Sequence, residues 1–317
     1  MFFCLPLPFM SSMLKAHLAL VGVNIIYGAS YVVAKEVTPS YILPFGFILI
    51  RVSMASILYL SFYGLLRWGA ARAGSLLAQP IARADWGRLL LCGLTGVALN
   101  QLLFFKGLSM TSPISASLIM ITTPILVLLI AAFMLHEPLS WVKIGGVALG
   151  AAGAAAIIAG GKASAGTGSA IGNLLIFLNA ASYGLYLVIV KPLMQRYHPL
   201  TVIMWVFLAG LVFVLPVGYT ELTQVQWHTF TPFIWLCVVF IVVATTFLTY
   251  LLNIYALQKV SPSVVGIYIY SQPLIATILA VGLGKDTLSP LKIMAAILIF
   301  VGVYLVSKPN PSRKTKG

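Results

Sequence analysis

Residues 112–144 read SPISASLIMITTPILVLLIAAFMLHEPLSWVKI, and residues 261–293, SPSVVGIYIYSQPLIATILAVGLGKDTLSPLKI, follow the same pattern. The Ser-Pro pair, the mid-segment proline, the acidic residue, the Leu-Ser pair and the Lys-Ile pair each recur 149 positions later. A fixed long-range offset of this kind indicates two copies of one structural unit. The chain is therefore predicted to consist of two related halves.

The composition indicates that both halves lie in a lipid bilayer. Apolar residues make up 61% of the 317 residues, charged residues make up 8%, and the mean hydropathy is +1.06. Such a chain has too little polar surface to cover a soluble globule. Its apolar runs of about 20 residues are long enough to cross a hydrocarbon core of about 30 Å as helices. These runs predict an all-α membrane protein with ten transmembrane helices, near 16–35, 43–66, 87–108, 113–135, 141–160, 170–190, 198–218, 232–257, 262–283 and 289–307.

Five spans per half make the second half enter the membrane from the opposite face. The predicted halves are residues 14–160 and 170–308, joined by a Gly/Ser-rich linker at 161–169 and followed by a basic tail at 309–317. The repeat includes the first span of each half, because Tyr-Gly at 27–28 and Lys35 match Tyr-Gly at 183–184 and Lys191. Two inverted repeats around a central site are a recurrent arrangement in transporters that work by alternating access.

The positive charges are distributed unevenly between the predicted loops. The net charge is +14, and 13 of the 19 lysines and arginines fall on the face that holds both termini. This bias predicts a multi-pass protein with cytoplasmic N- and C-termini. It also explains the basic charge without a nucleic-acid partner. The three cysteines lack metal-ligand spacing, and no metal site or cofactor is predicted.

Polar side chains within the predicted spans are the candidates for a substrate site. Uncharged amides and hydroxyls are costly in lipid, so they either bond between helices or face water and substrate. Spacings of three and four residues place several of them on one face of the first span and of the sixth span. The candidates for substrate binding are Asn24, Tyr27, Tyr31, Arg51, Asn100, Gln101, Thr123, Asn179, Tyr183, Tyr186, Tyr250, Asn253, Tyr268 and Gln272.

One charge and two prolines stand out within the spans. Arg51 is the one charge well inside a predicted span, where it could bind a carboxylate or phosphate, or could extend outward or cap carbonyl groups. Pro124 and Pro273 interrupt the fourth and ninth spans at matching depth, and each removes a backbone donor. We predict kinks there that line the cavity and take part in gating; a static kink repaired by neighbouring hydroxyls is the alternative.

Several motifs resemble those of a known family. Residues 27–31, Tyr-Gly-Ala-Ser-Tyr, with Lys35 resemble the opening motif of the EamA family in the drug/metabolite transporter superfamily. Arg51 after Pro44 resembles that family's second-span arginine, and the segment 137–140 before Gly145 resembles its acidic break between spans four and five. The resemblance covers about residues 16–308. It implies a carrier for small metabolites, often an exporter, in the plasma membrane, which here means a bacterial inner membrane.

These observations predict a secondary transporter and not an enzyme. The sequence contains no HExxH motif, nucleophile elbow or phosphate-binding loop. The aromatic bias of the polar set suits amphipathic small-molecule substrates such as larger amino acids, moved by alternating access around a central cavity. A nucleotide-sugar or organophosphate exchanger and a receptor-like protein that transports nothing are the alternatives. The five acids lie at or near span ends, so the coupling ion, the direction of transport and the oligomeric state stay open.

Overall fold

The computed structural model describes residues 12–70, 80–135, 140–159, 169–257, 259 and 268–307. All regular structure within these ranges is helical, which confirms the all-α prediction for this part of the chain. Several predicted features lie wholly or partly outside the described residues. These are the acidic break at 136–139, most of the linker at 161–169, the start of the ninth span at 262–267 and the basic tail at 309–317.

Thirteen α-helices account for most of the described residues. Those before the linker are α1 (Ser12–Val37), α2 (Pro44–Ala70), α3 (Trp86–Gly93), α4 (Asn100–Met110), α5 (Pro113–Met120), α6 (Thr123–Leu135) and α7 (Trp141–Ala159). Those after it are α8 (Ala170–Arg196), α9 (Pro199–Thr223), α10 (Pro232–Val239), α11 (Thr249–Leu257), α12 (Gln272–Gly282) and α13 (Pro290–Ser307). Proline begins many of these helices because the first turn needs no backbone donor there. The side chains of Ser112 and Thr231 cap two such starts, at α5 and α10.

Helix irregularities occur in both halves at positions related by the 149-residue offset. The α5–α6 run is broken at 121–122, and α12 follows a break at 270–271, so both predicted kink positions are interrupted. A π-helical segment, Leu94–Leu99, joins α3 to α4, and a second, Phe240–Leu248, joins α10 to α11. Segments of π-helix are rare and are found frequently at functional sites.

Eight helical stretches are long and apolar enough to cross a membrane, against the ten predicted. They are Met13–Val37, Pro44–Leu66, Arg83–Met110, Pro113–Met134, Trp141–Ala159, Ala170–Arg196, Pro199–Thr223 and Pro232–Asn253. Two further apolar helices, Gln272–Gly282 and Pro290–Val306, are shorter. At 1.5 Å per residue, 11 residues reach only about 16 Å. The described residues therefore establish eight candidate spans, and the ten-span count stays a prediction.

Helix packing brings the two halves together around α1 and α8. Helix α1 contacts α10, α11 and α12 of the second half, while α8 contacts α3, α4, α5 and α6 of the first. Helix α7 lies along α13 at very close range, because a Cβ atom on Gly302 would approach the oxygen of Gly146 to 2.6 Å. Large apolar side chains such as Phe133 and Leu236 are exposed on the surface, as expected where lipid is the solvent.

Candidate functional site

Arg51 lies inside α2, about 10 Å along the helix axis from its start at Pro44. Its side chain is buried, and Nε donates a hydrogen bond to Thr246 Oγ1 at 2.6 Å. Thr246 donates its own proton to Ile241 O at 2.9 Å, five residues earlier in the π-helical segment. A lone pair of the hydroxyl is therefore free to accept from Arg51.

The remaining surroundings of Arg51 are aromatic and uncharged. Its Cζ atom lies 5.2 Å from the centroid of the Phe105 ring, a cation–π distance. It interacts electrostatically with the hydroxyls of Tyr27, Tyr59 and Tyr250. In the described part of the chain, no carboxylate forms an ion pair with it. A buried cation without a counter-ion is costly, so this position favours an anionic ligand.

Tyrosine and threonine hydroxyls complete the surroundings of Arg51. Tyr59 donates to Thr246 O at 2.8 Å, which satisfies a carbonyl in the π-helical segment. The hydroxyls of Tyr27 and Thr249 are hydrogen-bonded at 3.1 Å, and the Tyr250 ring lies 6.3 Å from that of Tyr59. We name the following residues the Arg51 group: Tyr27, Arg51, Tyr59, Thr246, Thr249 and Tyr250.

The amides predicted on α1 and in the ninth span bond to each other. Gln272 Nε2 donates to Asn24 Oδ1 at 2.9 Å, and Asn24 Nδ2 donates to Leu20 O at 2.8 Å. Near the start of α1, the hydroxyl of Tyr268 lies 2.8 Å from His17 Nδ1. Asn24, Tyr268 and Gln272, all three predicted as candidates, therefore connect α1 to the second half. Bonding between helices was one of the two roles that the sequence left open for such residues.

The candidates on α8 are satisfied less completely. Asn179 Nδ2 donates to Asn100 O, but Asn179 Oδ1 is buried and has no hydrogen-bond partner among the described atoms. On the neighbouring helix α4, Gln101 Oε1 is likewise buried and has no partner among the described atoms. The rings of Tyr183 and Tyr186 stack with centroids 5.8 Å apart, and a Cβ atom on Gly96 would meet the Tyr186 ring at 2.4 Å. Glycine in the first π-helical segment thus makes room for this stack.

The remaining candidates lie at the edge of this arrangement. Tyr31 is buried against Phe104, with ring centroids 5.6 Å apart. Thr123 donates to Met120 O at 2.7 Å and so repairs its own helix break beside Pro124. Asn253 is half-buried in α11, one helical turn after Thr249.

Hydroxyl groups bond to carbonyls beside both proline positions. Thr122 Oγ1 donates to Ile119 O at 2.7 Å, and Ser271 Oγ donates to Tyr268 O at 2.6 Å. Pro124 is half-buried and Pro273 is buried. Each break thus has a side-chain donor beside it, the kind of partner that makes an interrupted helix tolerable in an apolar medium.

Charged residues join the helices where α1 ends. Glu36 Oε1 pairs with Lys285 Nζ at 2.9 Å, and Lys292 Nζ pairs with Asp286 Oδ1 at 2.6 Å. The other carboxylate oxygen of Asp286 accepts from the backbone nitrogen of Ile114 at 3.2 Å, at the start of α5. Charged contacts therefore join the two halves at this end of the bundle.

Sequence reasoning missed Tyr59, Phe105, Thr246 and Thr249 of the site. Tyr59 follows Arg51 by eight residues, about two helical turns, so the spacing on α2 was a usable signal. The Thr-Thr pair at 245–246 interrupts an otherwise apolar span and was a second signal. No group of three or more His, Cys, Asp or Glu residues is placed to hold a metal ion in the described ranges.

Helices able to cross a membrane and a buried cation enclosed among tyrosines define an integral membrane protein with an internal polar site. The chain belongs to the EamA-like transporter family, whose model matches residues 14–159 and 170–308. The family resemblance predicted from the motifs is confirmed. The chain is a multi-pass membrane transporter, in agreement with the prediction of transport over catalysis.

Relatives of the chain are described as transporters too. It is 30% identical to a probable terminal-alkyne amino-acid exporter of Streptantibioticus cattleyicolor, over 77% of this chain and 81% of the relative. It is 24% identical to an uncharacterized transporter of Archaeoglobus fulgidus, over 92% and 97% of the two chains. A solved crystal structure, 20% identical, matches its fold with a TM-score of 0.58 over 92% of this chain and 96% of the other.

Proposed function

We propose that this chain is a secondary transporter that exports amino acids across the bacterial inner membrane. The observation that carries the proposal is Arg51, a buried cation whose neighbours are a ring face and neutral hydroxyls. A guanidinium binds a carboxylate through two parallel hydrogen bonds, and the aromatic walls suit an apolar side chain. One relative is described as an amino-acid exporter, which agrees with this substrate class.

The proposed mechanism is alternating access by two inverted five-span halves with both termini in the cytoplasm. The two family matches and the helix breaks at corresponding positions support two equivalent halves. The charge bias of the loops supports the orientation. We expect Lys106→Cys to react with an impermeant thiol reagent added outside intact cells, and Arg88→Cys at the other end of the same span to react only after permeabilisation. The reverse pattern would contradict the orientation.

The experiment for the function is flux from proteoliposomes loaded with a mixed metabolite extract and read by mass spectrometry. We expect selective release of amino acids, with and without an imposed pH gradient. Release of nucleotide sugars or other organophosphates would favour the exchanger instead. Folded protein that releases nothing would favour a receptor-like role.

Arg51 variants connect that flux to the site. Arg51→Gln should lower amino-acid release by about tenfold or more, because a charged hydrogen bond contributes about 1.5–3 kcal/mol. Arg51→Lys should recover part of it, since the charge remains while the planar geometry is lost. The exposed Arg88→Gln is the matched control. Equal flux for Arg51→Gln and the control would contradict a substrate role.

A further inference from the structure

Two buried amide oxygens, one on α4 and one on α8, have no hydrogen-bond partner among the described atoms. They are Gln101 Oε1 and Asn179 Oδ1, in side chains of residues that are 6% and 1% exposed. Because Asn179 Nδ2 donates to a backbone carbonyl, the network fixes which atom of this amide is the oxygen. A buried acceptor left unpaired is costly, so the two oxygens call for a donor.

Gln101 and Asn179 belong to α4 and α8, two helices that contact each other. The carbonyl to which Asn179 donates belongs to Asn100, the neighbour of Gln101 in the chain. Gln101 also precedes Phe105 by four residues, a spacing that places their Cβ atoms about 5–6 Å apart on one helix face. Phe105 is the ring against which Arg51 rests. Gln101 and Arg51 therefore both lie next to Phe105.

Asn179 also lies close to the tyrosines of α8. It precedes Tyr183 by four residues, so the two side chains share one helix face, and the Tyr183 ring stacks on that of Tyr186. Its bond to the carbonyl of Asn100 joins it to the residue before Gln101, which lies one helical turn from the ring that Arg51 contacts. A cation that needs an anion and two acceptors that need a donor are thus linked through neighbouring residues.

We infer that Gln101 and Asn179 bind the ammonium group of a substrate whose carboxylate is bound by Arg51. The site then takes amino acids in their zwitterionic form, an inference that rests on the proposed function and names its recognition chemistry. An ammonium group supplies three donors, enough to reach both amide oxygens and a tyrosine hydroxyl. Neutral oxygens, in place of a carboxylate, leave Arg51 free of a competing partner within the protein.

The test compares three probes that differ only at their charged ends. L-Leucine carries both groups, 4-methylpentanoate only the carboxylate and 3-methylbutylamine only the ammonium. Binding to the purified full chain is measured by titration calorimetry. We expect L-leucine to bind at least about tenfold more tightly than either analogue, because hydrogen bonds to charged groups are the strong ones.

Gln101→Met keeps the length of the side chain and removes the unpaired oxygen, so it should fold as well as the parent protein. We expect it to lose most of the preference for L-leucine over 4-methylpentanoate while its affinity for 4-methylpentanoate stays unchanged. Gln101→Glu should instead bind 3-methylbutylamine about tenfold more tightly. Thr201→Val removes another buried, unpaired oxygen, at the start of α9, and should leave every ratio as it was.

Four results would overturn the inference. The first is a parent protein that binds L-leucine no better than 4-methylpentanoate. The second is an equal loss of affinity for both probes in Gln101→Met, which would indicate a structural role. The third is liposome flux without amino acids, which would remove the proposed function as well. Amino-acid flux combined with unchanged ratios in Gln101→Met would reject only the ammonium site.

Discussion

Helices α1 and α8 carry the same Tyr-Gly pair followed by a lysine, yet they pack differently. On α1, Asn24 exchanges hydrogen bonds with Gln272 and Leu20. On α8, Asn179 leaves its oxygen unpaired. The glycine of each Tyr-Gly pair shows the same difference, because α1 is packed more tightly than α8. A Cβ atom on Gly28 would lie 2.6 Å from Ile275, whereas one on Gly184 would find its nearest neighbours at 3.4 Å.

The comparison shows that α1 makes a structural contact whose polar groups are satisfied, whereas α8 keeps one polar group without a partner. Equivalent residues in a repeat need not have equivalent roles, because each faces different neighbours. The α1 side connects the halves through satisfied polar groups and close packing. The α8 side combines stacked tyrosines with an unpaired acceptor, and we propose that the substrate binds there.

The largest expected effect comes from adding one methyl group at each glycine of the pair. Gly28→Ala should destabilise the protein by about 1–3 kcal/mol, the usual cost of overpacking, because its Cβ would overlap Ile275 and approach Gln272 O to 3.1 Å. Gly184→Ala should change stability by less than about 0.5 kcal/mol, as expected where no strained contact is created. Thermal unfolding in detergent measures both, and equal losses would contradict the comparison.

The next effect is the coupling between Asn24 and Gln272. A double-mutant cycle with Asn24→Leu and Gln272→Leu should give an interaction energy of about 0.6 kcal/mol, and no more than about 1.7, the range found for hydrogen bonds between membrane helices. Asn179→Leu combined with Gln272→Leu is the control, and it should be additive. Coupling as large in the control pair would mean that α8 is connected to the ninth-span helix as α1 is.

The positions of the helix breaks could be predicted, but the π-helical segments could not. Pro124 and Pro273 have a local effect, because a proline removes its own backbone donor wherever it stands. The segments Leu94–Leu99 and Phe240–Leu248 contain no proline. Their loosened backbones depend on donors from other helices: Ser182 bonds Thr95 O at 2.7 Å, and Tyr59 bonds Thr246 O at 2.8 Å. Such tertiary partners are not visible in a local window.

The site residues likewise divide into those that a local sequence signal predicts and those that depend on tertiary contacts. Arg51 stands out because a charge in an apolar run is rare, and Tyr27 and Tyr250, both predicted, lie beside it. Thr246 was missed because threonine is common in spans and usually bonds its own helix. It does so here as well, and only the path of α2 past the π-helical segment gives it a second role. The sequence alone thus predicted the charged centre of the site and two of its tyrosines, but not the Thr246 hydroxyl that accepts from Arg51.

A smaller effect is expected at the end of α1, where Glu36 meets Lys285. Their side chains are 25% and 48% exposed, so the pair should contribute at most about 1 kcal/mol. Glu36→Gln should therefore lower stability slightly in dilute buffer and hardly at all in 1 M salt, where charges are screened within about 3 Å. Lys285→Gln should behave alike. A loss that salt does not reduce would show that Glu36 acts through something other than this pair.

The smallest effect is expected at the end of α8, where His198 follows the helix and caps α9. Its Nδ1 accepts from Leu200 N at 3.3 Å, and burial lowers the pKa of His198 below its ordinary value. The unfolded chain then binds a proton more readily than the folded protein, so stability should fall as the pH drops below about 6.5. His198→Asn keeps a capping acceptor and should remove this dependence, measured by unfolding at several pH values. Glu36 should thus respond to salt and His198 to pH. The same response at both positions would mean that the two helix ends are held by the same kind of contact and would contradict the comparison.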